Sequence, residues 1–274
     1  MAIHSFLKAE RGDPDWQFSP EDYYDKEFKI IDASTVELLE GATDEVVLRQ
    51  SPTEKELLAK HLKVVVQENA ALSMIILNDV DAKIQQVFLY DIQLAAGASL
   101  SLGIFAKDGK FNKHIVQVQQ AAASEFSIYG LISNSVGGDT EIITKVVHQG
   151  IASSSSQLFL GLAGDNSQTV YQGIVITEPD ATHSEALLES SNLIIGEKGC
   201  CYSKPETYIN SEFVTSAFAS ETETISLEKI SYLQSRGISG EKAREMIISG
   251  FRNQVINLVS KNDIRVELKE MYAA

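Results

Sequence analysis

The thiols of Cys200 and Cys201 and the imidazole of His148 are the side chains of this 274-residue sequence best suited to hold a soft metal or take up sulfur. A thiolate pair in Gly199-Cys200-Cys201-Tyr202 could accept sulfur, or share a metal with groups from another chain. The structural reading of the same pair is two small residues in an edge turn, one pointing in and one out. His148 follows Val146-Val147 at strand spacing, where an imidazole bonded to a polar neighbour such as Gln157 needs no metal. His183, at a corner beside Glu185, reads as solvated, and His4, His61 and His114 lack the companion spacing of zinc sites. The run Ser153 to Ser156 lacks the Gly-x-Ser-x-Gly turn that presents a nucleophile. No glycine-rich phosphate loop occurs either, so any ATP chemistry belongs to a partner.

The elements that must position these groups repeat along the chain. Between Val64 and Ile209 a small-residue corner, an alternating strand and a polar break recur, and aligning the corners on Ala71, Ala98, Ala123, Ala152 and Ala181 gives steps of 27, 25, 29 and 29 residues. Such a period means that each unit buries its apolar face only by stacking on its neighbours. Sets such as Leu100, Leu102, Ile104 and Leu158, Leu160, Leu162 put one face of each strand inward. A β-solenoid, most simply a parallel β-helix, satisfies both features, and a β-sandwich of short strands is the alternative.

Ahead of the repeat, residues 1 to about 50 read as an acidic arm (Asp13 to Trp16, Asp22 to Asp25) with strand-like pieces at Phe28 to Ile31 and Val46 to Leu48. Thr53-Glu54-Lys55-Glu56 has capping-box spacing and predicts a short helix carrying Leu57, Leu58 and Leu62. After Ile209 the period changes. Ser226 and Ser239 are placed to cap helices, the second carrying Ala243, Met246, Ile247, Phe251, Val255, Leu258 and Val259, and Asp263 starts a third with Val266, Leu268 and Met271. These helices are too apolar to lie alone in water and must pack on the solenoid end, on a partner, or on both. The expected division is 1–62 for the arm and first elements, 63–224 for the β-helix and 225–274 for a small helical domain.

Composition narrows the function. The formal charge is -15 with no basic block, which repels phosphate backbones and argues against nucleic acid. No apolar run reaches the roughly 20 residues of a membrane span, and no hydrophobic signal segment follows Met1. Two adjacent cysteines make no disulfide framework. The location expected is the cytoplasm or an organelle matrix.

With these residues assembled, the chain resembles the SufB/SufD family, the scaffold subunits of the Suf iron-sulfur cluster assembly machinery. The match runs from about Leu62 to Ala274 and rests on the order of Val147-His148, Ser156 to Gly161, Thr169 to Ile174, Ser191-Asn192-Leu193, Ser203 to Glu206, Tyr232 to Ile238, Ala243-Arg244 and Gly250-Phe251. The resemblance implies a mainly β fold, a right-handed parallel β-helix with a C-terminal helical domain. It implies pairing through β-helix ends, as a homodimer or with a SufB- or SufD-like subunit. It also implies docking of the ATPase SufC by the C-terminal helices, for which Tyr232, Leu233, Arg236, Arg244, Met246 and Phe251 are the candidates. No cofactor is expected to be tightly held, and an iron-sulfur cluster would be transient in the complex.

One departure is specific. Where the family pattern carries a Cys-Ser-His-Gly or a His-Glu stretch, this chain has Ser216, Ala217, Phe218 and Ala219, and phenylalanine offers iron no ligand. That leaves Cys200, Cys201 and His148 as the metal candidates. The reading is a non-catalytic scaffold subunit. The rivals are a β-helix carbohydrate lyase or hydrolase, which needs converging carboxylates with a basic residue in a groove, and an interaction protein without cluster chemistry.

Overall fold

The computed structural model describes residues 32–50, 57–79 and 84–273. The acidic arm, the strand-like piece Phe28 to Ile31 and the capping box Thr53 to Glu56 lie outside the described residues. Among the described residues fourteen strands run in order: β1 Asp32–Leu38, β2 Thr43–Gln50, β3 Leu57–Val66, β4 Ala71–Asp79, β5 Gln85–Leu94, β6 Ser99–Lys107, β7 Phe111–Gln120, β8 Glu125–Val136, β9 Asp139–His148, β10 Ser154–Asp165, β11 Gln168–Thr177, β12 Glu185–Ile194, β13 Cys200–Ile209 and β14 Thr215–Thr224. Three helices follow: α1 Leu227–Ser235, α2 Gly240–Ile256 and α3 Asn262–Ala273.

The odd strands stack into one seven-stranded parallel sheet and the even strands into another, so each coil lays one strand on each sheet and the chain is a β-solenoid. Asp32 pairs with Lys60, 28 positions on, Gln85 with Phe111, 26 positions on, and Gln168 with Cys200, 32 positions on, so the longest coil of the first sheet is its last. The interior is a continuous apolar cluster to which the first sheet contributes Val64, Tyr90, Ile92 and Val116 and the second Met74, Leu102, Ile128 and Phe159.

The corners from odd to even strands explain why small residues recur. Each holds one residue in the left-handed region: Gly41, Asn69, Gly97, Ala123, Ala152, His183 and Phe213, with φ between 55° and 67°. The N–H of each of the first five bonds to a corner carbonyl of the next coil, as Asn69 to Ala96 and Ala123 to Ile151. Alignment on alanines therefore meets the turning residue at Ala123 and Ala152. It misses it by two at Ala71, by one at Ala98 and by two at Ala181, because glycine, asparagine and histidine occupy the position there. The next residue inward is Ala70, Ala98, Ser124, Ser153 or Ser184, all fully buried. Ser124, Ser153 and Ser184 each donate to the carbonyl three residues back, which satisfies a buried hydroxyl and closes the corner.

Two expectations change. Residues 57–66 form strand β3, not a helix. Leu62, Val64 and Val66 are buried with Lys63 and Val65 between them less so, a period of two that pairing with β5 reinforces and a helix cannot offer. The helices also pack on the side of the solenoid, not its end. Phe251, Val255 and Ile256 of α2, Val259, and Ile264, Leu268 and Tyr272 of α3 lie on the outward side chains of the second sheet, among them Leu77, Phe105, Leu131, Leu160 and Leu193. Polar clamps fix the seam: Arg49 makes two 2.7 Å hydrogen bonds to Glu267, and the Tyr272 hydroxyl donates to the Leu131 carbonyl at 3.1 Å.

Candidate functional site

Strand alternation decides what the candidate metal residues can do. On β13, Cys201 points inward above Thr169 of β11, whose hydroxyl donates to its Sγ at 3.2 Å, while Cys200 points outward and is exposed. Burial pushes the Cys201 thiol up, only partly offset by the Thr169 hydroxyl, so at neutral pH it is a protonated thiol rather than a thiolate ligand. The two sulfurs face different sides of one strand.

His148 ends β9 at the opposite corner. It sits in register with Thr177 of β11, whereas Cys201 sits in register with Thr169, eight residues earlier on the same strand. At about 3.3 Å per residue the two are separated by roughly 26 Å along the sheet, too far to share an ion. The imidazole is fully buried, with Nδ1 2.7 Å from Ser153 Oγ and Nε2 2.8 Å from Ser155 Oγ. Because the Ser153 hydroxyl donates to the Gly150 carbonyl, Nδ1 carries the proton and Nε2 accepts from Ser155. Both nitrogens are used. The expected Gln157 partner is instead held by Thr144 and by Tyr171, whose hydroxyl donates to it at 2.9 Å. Gln157 lies farther along β10 than the two serines, which flank the corner next to His148.

Burial holds the His148 pKa down at about 4, against 6.5 for a free imidazole, with a hydrogen bond to the Ser153 backbone opposing only in part. A base with a depressed folded pKa leaves its stabilising contribution intact above pH 6.5, and that contribution drains away as pH falls toward 4, because the unfolded chain takes up the proton first. Urea midpoints are therefore expected to fall between pH 7 and pH 4, with His148 supplying about 3 kcal/mol of the change. His148→Gln should flatten that dependence. An unchanged slope would show that the histidine is not buried neutral.

Among the described residues no group of three or more His, Cys, Asp or Glu side chains could hold a metal ion. The outward face of the second sheet does carry a groove of about 430 Å³ lined by Ser127, Ser154, Ser156, Glu125 and Glu185, and among the described residues no lysine or arginine lines it. The carboxylate-plus-base arrangement of a lyase is not assembled there. No helix among the described residues is long and apolar enough to cross a membrane.

Two exposed surfaces remain. The first is the C-terminal end of the solenoid, where β13 and β14 are edge strands with unpaired backbone groups on one side. Tyr202, Ile209, Phe213 and Phe218 are exposed on this last coil. Ser216 and Phe218 continue the inward rows of Ala186 and Leu188, so Phe218 is an inward side chain with no coil above it. Sequence reasoning treated Phe218 only as a missing ligand and overlooked Ile209 and Phe213; the available signal was an apolar corner residue where the other corners are small or polar.

The second surface is α1 with the outer side of α2. No residue of α1 is buried, and Tyr232 is exposed with the Arg236 guanidinium 5.5 Å from its ring centroid. Leu233 is half-buried, and Met246 is exposed. Arg244 is exposed but donates back to the Ile195 carbonyl of the solenoid. Phe251 is buried against the second sheet and anchors the helix, so it presents nothing to solvent.

The comparisons with known proteins point one way. Residues 25–251 match the family described as SUF system FeS cluster assembly, SufBD core domain. The iron-sulfur cluster assembly protein SufD of Bacillus subtilis is 30% identical over 133 residues, covering 48% of this chain and 30% of that protein. An iron-sulfur cluster assembly SufBD family protein of Synechocystis is 28% identical over 142 residues, covering 52% of this chain and 29% of that protein. A chloroplastic member from Arabidopsis thaliana is 26% identical over 136 residues, covering 50% and 24%. The chain thus spans about a quarter to a third of the length of these relatives. A two-sheet solenoid with lateral helices, matched by the family description over most of its length, places this chain in the SufBD core-domain family.

Proposed function

We propose that the chain is a non-catalytic scaffold subunit in iron-sulfur cluster assembly, acting in the cytoplasm or an organelle matrix. The observation that carries the reading is the family match across the solenoid and into the helices. The open last coil is the pairing surface, toward a second copy or a SufB- or SufD-like subunit, with Phe213 and Phe218 as its apolar anchors. The exposed side of α1 and α2, centred on Tyr232, Arg236 and Met246, docks a SufC-type ATPase. Nucleotide-driven movement of that ATPase changes the placement of two solenoids, and it does so only through contacts that differ between its two states.

The cluster is cargo in this scheme. With Ser216 and Phe218 at the positions where the resemblance expects ligands, this chain supplies the structural half of the pair, and the exposed Cys200 is its one thiol accessible at the assembly surface. Depleting the chain from its own cell is expected to lower the activity of iron-sulfur enzymes several-fold while their polypeptide levels hold. Unchanged activity would overturn the proposal.

A further inference from the structure

A polar cluster is buried inside the solenoid, where Asn78 near the end of β4 meets Gln86 of β5 and Asn112 of β7. All three side chains are fully buried. Asn112 Nδ2 donates to Asn78 Oδ1 at 3.4 Å, and Asn78 Nδ2 donates to Gln86 Oε1 at 3.1 Å. Both bonds run in one sense, so a third, from Gln86 Nε2 to Asn112 Oδ1, would close a ring. Gln86 and Asn112 are register partners on adjacent strands, about 4.8 Å apart at the backbone. Neither Gln86 Nε2 nor Asn112 Oδ1, however, has a hydrogen-bond partner among the described residues.

His114 supplies a third such atom. It is fully buried and follows Asn112 by two residues on the same inward face of β7, about 6.6 Å along the strand. Its ring stacks on Phe88, with centroids 4.8 Å apart, and its Nδ1 lies 3.0 Å from the Tyr90 hydroxyl. Burial holds the His114 pKa down at about 3, so the imidazole is neutral and carries one N–H. The Tyr90 hydroxyl donates to Nδ1, which puts that proton on Nε2. Tyr90 lies farther along the strands, so an Nδ1 turned toward it leaves Nε2 on the ring edge nearer Asn112 and Gln86. Nε2 is buried and likewise has no partner among the described residues.

We propose that these three atoms hold one ordered water inside the solenoid, which accepts from Gln86 Nε2–H and His114 Nε2–H and donates to Asn112 Oδ1. Three bonds are what a buried water commonly makes, and buried polar groups are rarely left without a partner. Two N–H donors turn away a metal cation, and a carbonyl oxygen turns away a halide; water satisfies both kinds of group. The water completes the ring of Asn112, Asn78 and Gln86 head to tail, so each bond in it polarises the next.

The test is a crystal structure of the full chain at a resolution that shows ordered water. A single peak within about 3.2 Å of all three atoms is expected. Gln86 Nε2 closed directly on Asn112 Oδ1 with no peak between them would overturn the proposal, and so would a peak out of reach of His114. In solution, oxygen-17 relaxation dispersion counts long-lived buried waters. Asn78→Leu, Gln86→Met and Asn112→Leu combined, which keep the volume and remove the ring, are expected to hold one fewer than the parent. An unchanged count would also overturn the proposal, and the parent crystal structure decides alone should the triple variant fail to fold.

Discussion

Removing residues 225–274 is expected to yield an aggregating protein rather than a trimmed solenoid. The helices bury Phe251, Val255, Ile256, Val259, Ile264, Leu268 and Tyr272 against the second sheet. At about 1.5–3 kcal/mol per large side chain, their loss forfeits on the order of 10 kcal/mol, the whole net stability of an ordinary domain. It also bares a band of Leu77, Phe105, Leu131 and Leu160 to water, a patch that soluble monomers do not present. Solubility and melting of the 1–224 fragment check this, and Leu268→Ala in the intact chain grades it, with an expected loss of about 3 kcal/mol. A soluble fragment with an unchanged melt would contradict the packing. One practical consequence is that docking has to be probed with surface substitutions, since truncation removes the docking surface and the cover of the core together.

The second large effect concerns assembly. Phe213→Asp combined with Phe218→Asp places two carboxylates on the open last coil, at side chains that are 74% and 62% exposed, where the fold loses only the stacking of Phe213 on the His183 ring at 5.2 Å. If that coil pairs, the double variant should weaken association by about a hundredfold or more, read by analytical ultracentrifugation, with stability lowered by no more than the roughly 1 kcal/mol of one ring contact. A variant that associates like the parent would move the pairing surface elsewhere, and the opposite end at β1 and β2 would be the next place to look.

The solenoid was legible because the chain turns the same way at every coil, and each turn from the first sheet to the second up to β12 brings a small residue to the buried inner side of the corner, Ala70, Ala98, Ser124, Ser153 or Ser184, which leaves a period. What alternation concealed was which outward faces are covered. Met74-Ile75-Ile76-Leu77 is buried residue by residue, and a run without polar breaks signals a strand packed on both sides. Read that way, β4 already pointed to helices on the lateral face. The predicted helix over Leu57 and Leu62 failed because a local capping pattern was outweighed by pairing with a strand 28 residues on. The candidate site divided along the same line. That Cys200 and Cys201 face opposite ways follows from strand geometry, whereas the serine partners of His148 depend on a corner fold that spacing does not specify.

The docking surface on α1 and α2 is tested most directly by capture of the SufC-type ATPase of the same cell by the purified full-length chain, compared with Tyr232→Ala, Arg236→Glu and Met246→Glu combined. The parent is expected to retain the ATPase, and the triple variant, with its melting unchanged, to lose at least tenfold of it. A parent chain that retains no ATPase, or a triple variant that retains it as well as the parent, would contradict the account.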